Sequence, residues 1–138
     1  MFIGANDGFA MRGRPCCGRD WVAEYTRRAR RMMRAYARGG RARVYWLLLP
    51  APREGFFREV VPAVNSALRR AARGLEDDVA LIDLGAVFTP GGVFRERMEV
   101  GGRERKVRNG DGVHLSPLGA AITAGRVIRA LQRDRMLR

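Results

Sequence analysis

Two apolar runs punctuate the chain: the continuous V-Y-W-L-L-L at residues 44–49, and V-A-L-I-D-L at residues 79–84 with Asp83 near its end. A strand covered on both faces shows no polar alternation, so both runs predict buried strands of a parallel sheet. Between them Phe57, Val60, Val61, Val64, Leu68 and Ala71 recur at spacings of three and four. That spacing predicts an amphipathic helix stopped by Gly74, with Pro62 either kinking it or marking its first turn. Ahead of the first run, Trp21, Tyr25, Ala29, Met32 and Tyr36 predict a helix capped by Asp20 and ended by Gly39 and Gly40. A terminal helix is predicted from Leu118, Ala121, Ile122, Gly125, Ile128 and Leu131, with Ser116 as N-cap and Pro117 in its first turn.

The segments left over are informative too. Residues 1–4 read as the end of a further buried strand, and the glycine-rich loop at 5–18 follows it. Residues 85–108 are too long for the usual crossover of about two to six residues. They carry a predicted hairpin, 93–100 with 103–107, turning at Gly101 and Gly102. Alternating strands and helices predict one α/β domain spanning residues 1–138, with a parallel sheet of about three strands flanked by helices. Loops at the carboxyl ends of such strands are where ligands bind.

Charge changes the picture less than its size suggests. The formal net charge is +13, and Lys106 is the only lysine. Arg27, Arg28, Arg30, Arg31 and Arg34 crowd one helix, but the aromatic interleaving of a single-strand groove is absent, which argues against a nucleic-acid partner. A charge run on a helix reads as a solvated face, and the abundance of arginine, alanine and glycine reads as coding bias. Cys16 and Cys17 are adjacent, unsuited to an ordinary disulfide with each other, and no metal-binding spacing accompanies them. No apolar run approaches the roughly 20 residues that span a bilayer, and no signal peptide is evident.

The candidate chemistry lies in N-G-D-G-V-H-L-S-P-L-G at residues 109–119. It holds the only histidine, His114, three positions after Asp111. A carboxylate so placed can hydrogen-bond one imidazole nitrogen and leave the other free as a general base. The alternative is an ordinary loop hydrogen bond. At the other end of the chain stands G-A-N-D-G at residues 4–8. In their order, G-x-N-D and D-x-x-H together resemble the SGNH (GDSL-type) hydrolase family over nearly the whole chain.

That resemblance implies a partial SGNH, flavodoxin-like three-layer fold and a serine esterase or acyltransferase. The implied substrates are small-molecule or polysaccharide acyl esters, O-acyl groups of carbohydrate or cell-envelope polymers among them. It gives Asn6 to the oxyanion hole, His114 the role of base and Asp111 that of its acid partner. It requires no cofactor and no metal, and it suggests the cell envelope or an extracytoplasmic site. The family's G-D-S nucleophile block has no counterpart here. Ser66 falls within a helix pattern and Ser116 reads as a cap, so the chain is expected to be the C-terminal portion of an SGNH domain. Two other readings stay open, a non-catalytic remnant or binding module and a basic nucleic-acid-binding protein. Arg108, beside the pair, either contacts an anionic group or is one surface arginine among many. Arg53 either meets substrate or is solvated, and Asp83 is expected to be structural.

Overall fold

The computed structural model describes residues 1–136. The two apolar runs are strands β1 (Val44–Leu48) and β2 (Val79–Asp83), paired in parallel with Val44 opposite Val79 and Leu48 opposite Asp83. Alternate side chains of β1 go to opposite faces, as the strand period requires. Val44, Trp46 and Leu48 join the cluster formed by helices α1 (Arg19–Ala37) and α2 (Phe57–Ala72). Leu47 joins a second cluster with Ile82, Leu84 and Phe88, completed by Leu118, Ile122 and Val127 of helix α4 (Pro117–Arg133). Helices therefore flank the sheet on both faces, and the fold is α/β.

The third strand anticipated at residues 1–4 shrinks to a single rung. The Met1 amine donates to the Tyr45 carbonyl and the Leu47 N–H donates to the Met1 carbonyl, the pattern of a parallel pair around Trp46. The chain turns off at Gly4, whose φ of 123° is open to glycine, and whose missing side chain would lie 2.7 Å from Val64 Cγ1. The sheet thus has two strands rather than about three.

Both outer helices depart from their expected faces. In α1 the cap is Gly18, and Asp20 sits in the first turn, where its charge suits the positive end of the helix dipole. The buried line is Trp21, Tyr25, Ala29, Met33 and Ala37, one residue in four throughout, because α1 packs along α2 by that ridge. Met32 and Tyr36 are exposed. In α4 the covered residues include Gly119, Thr123 and Ala130, while Ala121 and Ile128 face outward. Ser116 does cap this helix, its Oγ accepting from the Gly119 N–H at 3.1 Å. In α2, Pro62 lies inside the helix, not at its first position.

Strand β1 ends at a side chain. Asn65 of α2 accepts from the Leu49 N–H at 2.9 Å and donates to the Leu49 carbonyl at 2.8 Å, as a neighbouring strand would. Pro50 and Pro52 then carry the chain over the carboxyl end of the sheet. The anticipated hairpin is present as β3 (Arg97–Val100) and β4 (Arg103–Lys106), with Gly101 and Gly102 both at positive φ in the turn. Two elements not anticipated precede the hairpin, the short helix α3 (Gly85–Phe88) and the 3-10 turn Pro90–Gly92. Cys16 and Cys17 are bonded to each other, contrary to the expectation drawn from their adjacency. Among the described residues no helix is long and apolar enough to cross a membrane.

Candidate active site

The Asp-x-x-His turn is a closed loop built on its own backbone. Arg108 and Leu115 form an isolated antiparallel bridge at its base, the Asn109 N–H donates to the His114 carbonyl, and the Gly112 N–H donates to the Asn109 carbonyl. Within it Asp111 Oδ1 accepts from the backbone N–H of Val113 at 2.8 Å and of His114 at 2.9 Å. Asp111 Oδ2 lies 2.9 Å from His114 Nδ1. The two backbone donors, and after them the imidazole, hold the Asp111 carboxyl down at about 2. It is therefore ionised near neutrality and can only accept, so Nδ1 carries a proton, and in the neutral ring that leaves Nε2 as the lone-pair nitrogen. The His114 side chain is 72% exposed, which leaves Nε2 accessible.

This depression has a consequence for stability. Asp111's folded value lies below that of a free carboxylate, so its contribution is full above about pH 4 and is lost as the pH falls toward 2. Melting curves of wild type and Asp111→Asn should differ at neutral pH and converge between pH 4 and pH 2. Curves that stayed equally separated down to pH 2 would mean the carboxylate's charge plays no part in holding the turn.

Asn6 reaches the same place from the other end of the chain. The Gly4–Asp7 turn is closed by the Asp7 N–H donating to the Gly4 carbonyl, and Tyr25 of α1 donates its hydroxyl to Asp7 Oδ2 at 2.6 Å. Burial first, and then the Asp7 carboxylate, push the Tyr25 phenol up, so it remains a donor. Asp7 is thus occupied in tethering the turn, and exposed Asn6 next to it is left available. A cleft of about 440 Å³ takes Asn6, Asp7, Arg108 and His114 into one wall system, with Phe2, Ile3, Leu49, Pro50 and Val61 as apolar lining.

The other candidates fall elsewhere. Ser116 is buried, its Oγ donating to the Lys106 carbonyl while capping α4, and neither Ser116 nor Ser66 is among the cleft's lining residues. Asp83 accepts from Arg69 at 2.8 Å and from the Gly85 N–H at 2.8 Å, holding the start of α3. Arg108 is 1% exposed, so it is no surface arginine. Its guanidinium donates to the carbonyls of Ala51, Gly112 and Val113 at 3.0, 3.2 and 3.0 Å. Arg53, half-buried, donates to the Gly110 carbonyl and pairs with Glu96. Phe94, to which the sequence assigned nothing, has both guanidinium carbons 5.0 Å from its ring centre. No group of three or more His, Cys, Asp or Glu side chains able to hold a metal ion exists among the described residues.

The arrangement offers an exposed imidazole base with its tautomer fixed, an amide donor in the same cleft and an apolar wall. No curated protein matches the chain. A family model does match, over residues 1–130, and the chain belongs to that family, described as "Protein of unknown function (DUF459)".

Proposed function

We propose that this domain supplies the base, its orienting acid and the oxyanion donor of an SGNH-type serine ester hydrolase or acyltransferase. The substrates in this reading are O-acyl esters of carbohydrate or cell-envelope polymers. The observation that carries it is the presence of Asn6 and His114 in one cleft, with His114 Nδ1 tied to Asp111. The family's association with SGNH-like hydrolases supports it.

In the proposed reaction His114 Nε2 takes the proton of a serine hydroxyl as the serine oxygen bonds to the acyl carbon. The carbonyl oxygen becomes an oxyanion that the Asn6 amide hydrogen-bonds. As the intermediate collapses, the bond to the alkoxide breaks and that alkoxide leaves with the proton from Nε2. Water, or an acceptor hydroxyl in acyl transfer, then repeats the sequence on the acyl-serine. Neither Ser66 nor Ser116 serves, so the nucleophile comes from outside these 138 residues.

Reading the gene's frame upstream for a Gly-Asp-Ser block, and assaying the protein so encoded with p-nitrophenyl acetate, tests this. Turnover is expected, and Asn6→Ala should lower kcat by about a hundredfold to a thousandfold, the usual loss for one oxyanion donor. No serine block and no turnover would favour the second reading, a non-catalytic binding module. That reading draws on the same absence of a serine from the cleft lining.

A further inference from the structure

A buried cation without a carboxylate partner is expensive, and this chain keeps one next to its acid–base pair. Among the described residues no carboxylate lies within ion-pair distance of Arg108, and its Nε has no hydrogen-bond partner. The three hydrogen bonds it makes all go to backbone carbonyls, one on the segment after β1 and two on the Asp-x-x-His turn. Arg53 repeats the grip from the neighbouring segment. Its backbone N–H donates to the Gly112 carbonyl at 3.0 Å and its guanidinium donates to the Gly110 carbonyl at 3.0 Å. Three carbonyls of the turn, Gly110, Gly112 and Val113, are therefore held by two arginines. Contact there is so close that a side chain added at Gly112 would come within 2.5 Å of Arg53 Cβ.

The ring of Phe94 ties the two arginines together, its centre lying 5.0 Å from the guanidinium carbon of each. An aromatic face attracts cations through its quadrupole, more strongly where water is excluded. Glu96, on the same segment as Phe94, pairs with both Arg53 and Lys106. The segment leading into the β3–β4 hairpin is in this way fastened to the turn that carries His114.

We propose that Phe94, with Arg53 and Arg108, is a positioning clamp that sets the geometry of the Asp111–His114 pair. The proposal rests on the reading of that pair as acid and base. The hydrogen bonds of the two arginines to the turn go to its backbone carbonyls and not to the imidazole. The clamp acts by fixing the carbonyls on either side of Asp111, and so the angle at which the carboxylate meets Nδ1. It also makes that angle depend on whether the hairpin segment is seated.

Because His114 is the only histidine, its ring nitrogens can be read by nitrogen-15 magnetic resonance on the 138-residue chain without assignment ambiguity. The quantity measured is the ratio of Nδ1–H to Nε2–H tautomer at alkaline pH, where the ring is neutral. Phe94→Ala and Arg108→Lys, checked for folding by circular dichroism, should each lower that ratio by about threefold or more. Phe94→Trp, which keeps an aromatic face, should restore it. Lysine keeps the charge of Arg108 but not its fork, so charge alone should not suffice. Asp111→Asn serves as reference and should invert the ratio. If it does so while folded Phe94→Ala leaves the ratio at the wild-type value, the clamp is refuted and the acid–base pair stands. If Asp111→Asn itself changes nothing, the acid–base reading fails and the clamp with it. Phe94 is partly buried, so its alanine variant keeps the test decisive even if Arg108→Lys does not fold.

Discussion

His114→Ala should lower kcat/KM for acyl esters by about ten-thousandfold or more in the serine-containing protein, with little change in KM. The size follows from what the imidazole does, since without it the hydroxyl must lose its proton to water. More discriminating is the comparison of two variants at Asp111. Its Oδ1 accepts two backbone N–H groups and its Oδ2 faces Nδ1. In Asp111→Asn the amide oxygen is retained by the two backbone donors, which turns the NH2 group toward Nδ1. Nδ1 must then accept, the proton moves to Nε2, and the base is blocked. Asp111→Asn should therefore cost about as much as His114→Ala, roughly ten-thousandfold. Asp111→Ala removes the wrong donor along with the carboxylate and should retain more activity than Asp111→Asn. The rates of the three variants on p-nitrophenyl acetate decide this. An alanine variant slower than the asparagine variant would show that Asp111 acts by charge rather than by choosing a tautomer.

Gly119→Ala should be the most damaging small substitution for stability. Its Cβ would lie 2.2 Å from the Val107 carbonyl oxygen and 3.2 Å from the carbon, both backbone atoms that no rotamer change can move. Relief requires α4 to lift from the segment that carries Val107 and Arg108. That lift would strain the Ser116 cap and open the second apolar cluster, in which Val107, Leu118 and Ile122 meet. Overpacking of this severity costs about 3 kcal/mol, seen as a fall in Tm of roughly 10 °C for a domain this size. Gly101→Ala is a useful control, because nothing lies within 4 Å of its added carbon and only its φ of 63° resists. Equal Tm losses from the two substitutions would mean that close approach is not what demands glycine at 119.

What was legible in the sequence is what local pattern determines. The run V-Y-W-L-L-L is a strand because nothing in it tolerates water on either face, and all five residues of β1 are buried. Ser116 and Pro117 specify the start of α4 through their own side chains, and Gly101–Gly102 specifies the hairpin turn. The helix faces were harder. Met32 and Met33 are chemically alike, and the partner's ridge direction decides which of them points inward. Arg108 was hardest, because burial of an arginine depends on carbonyls such as that of Ala51, supplied by a distant segment. The same holds for the cleft: D-x-x-H could be read as a possible acid–base pair on its turn, but that Asn6 lines the same space is a property of the folded chain.

Asn65 imitates a strand neighbour from the side of a helix, and this ties two kinds of periodicity together. Adding or deleting one residue ahead of it within α2 would swing its amide by about 100° around the helix axis, leaving Leu49 without either partner. The Pro50–Pro52 wall would then lose the stop that directs it over the sheet. An inserted or deleted residue should consequently be tolerated in the bends near Gly55 and Gly74 and not in the helix between them.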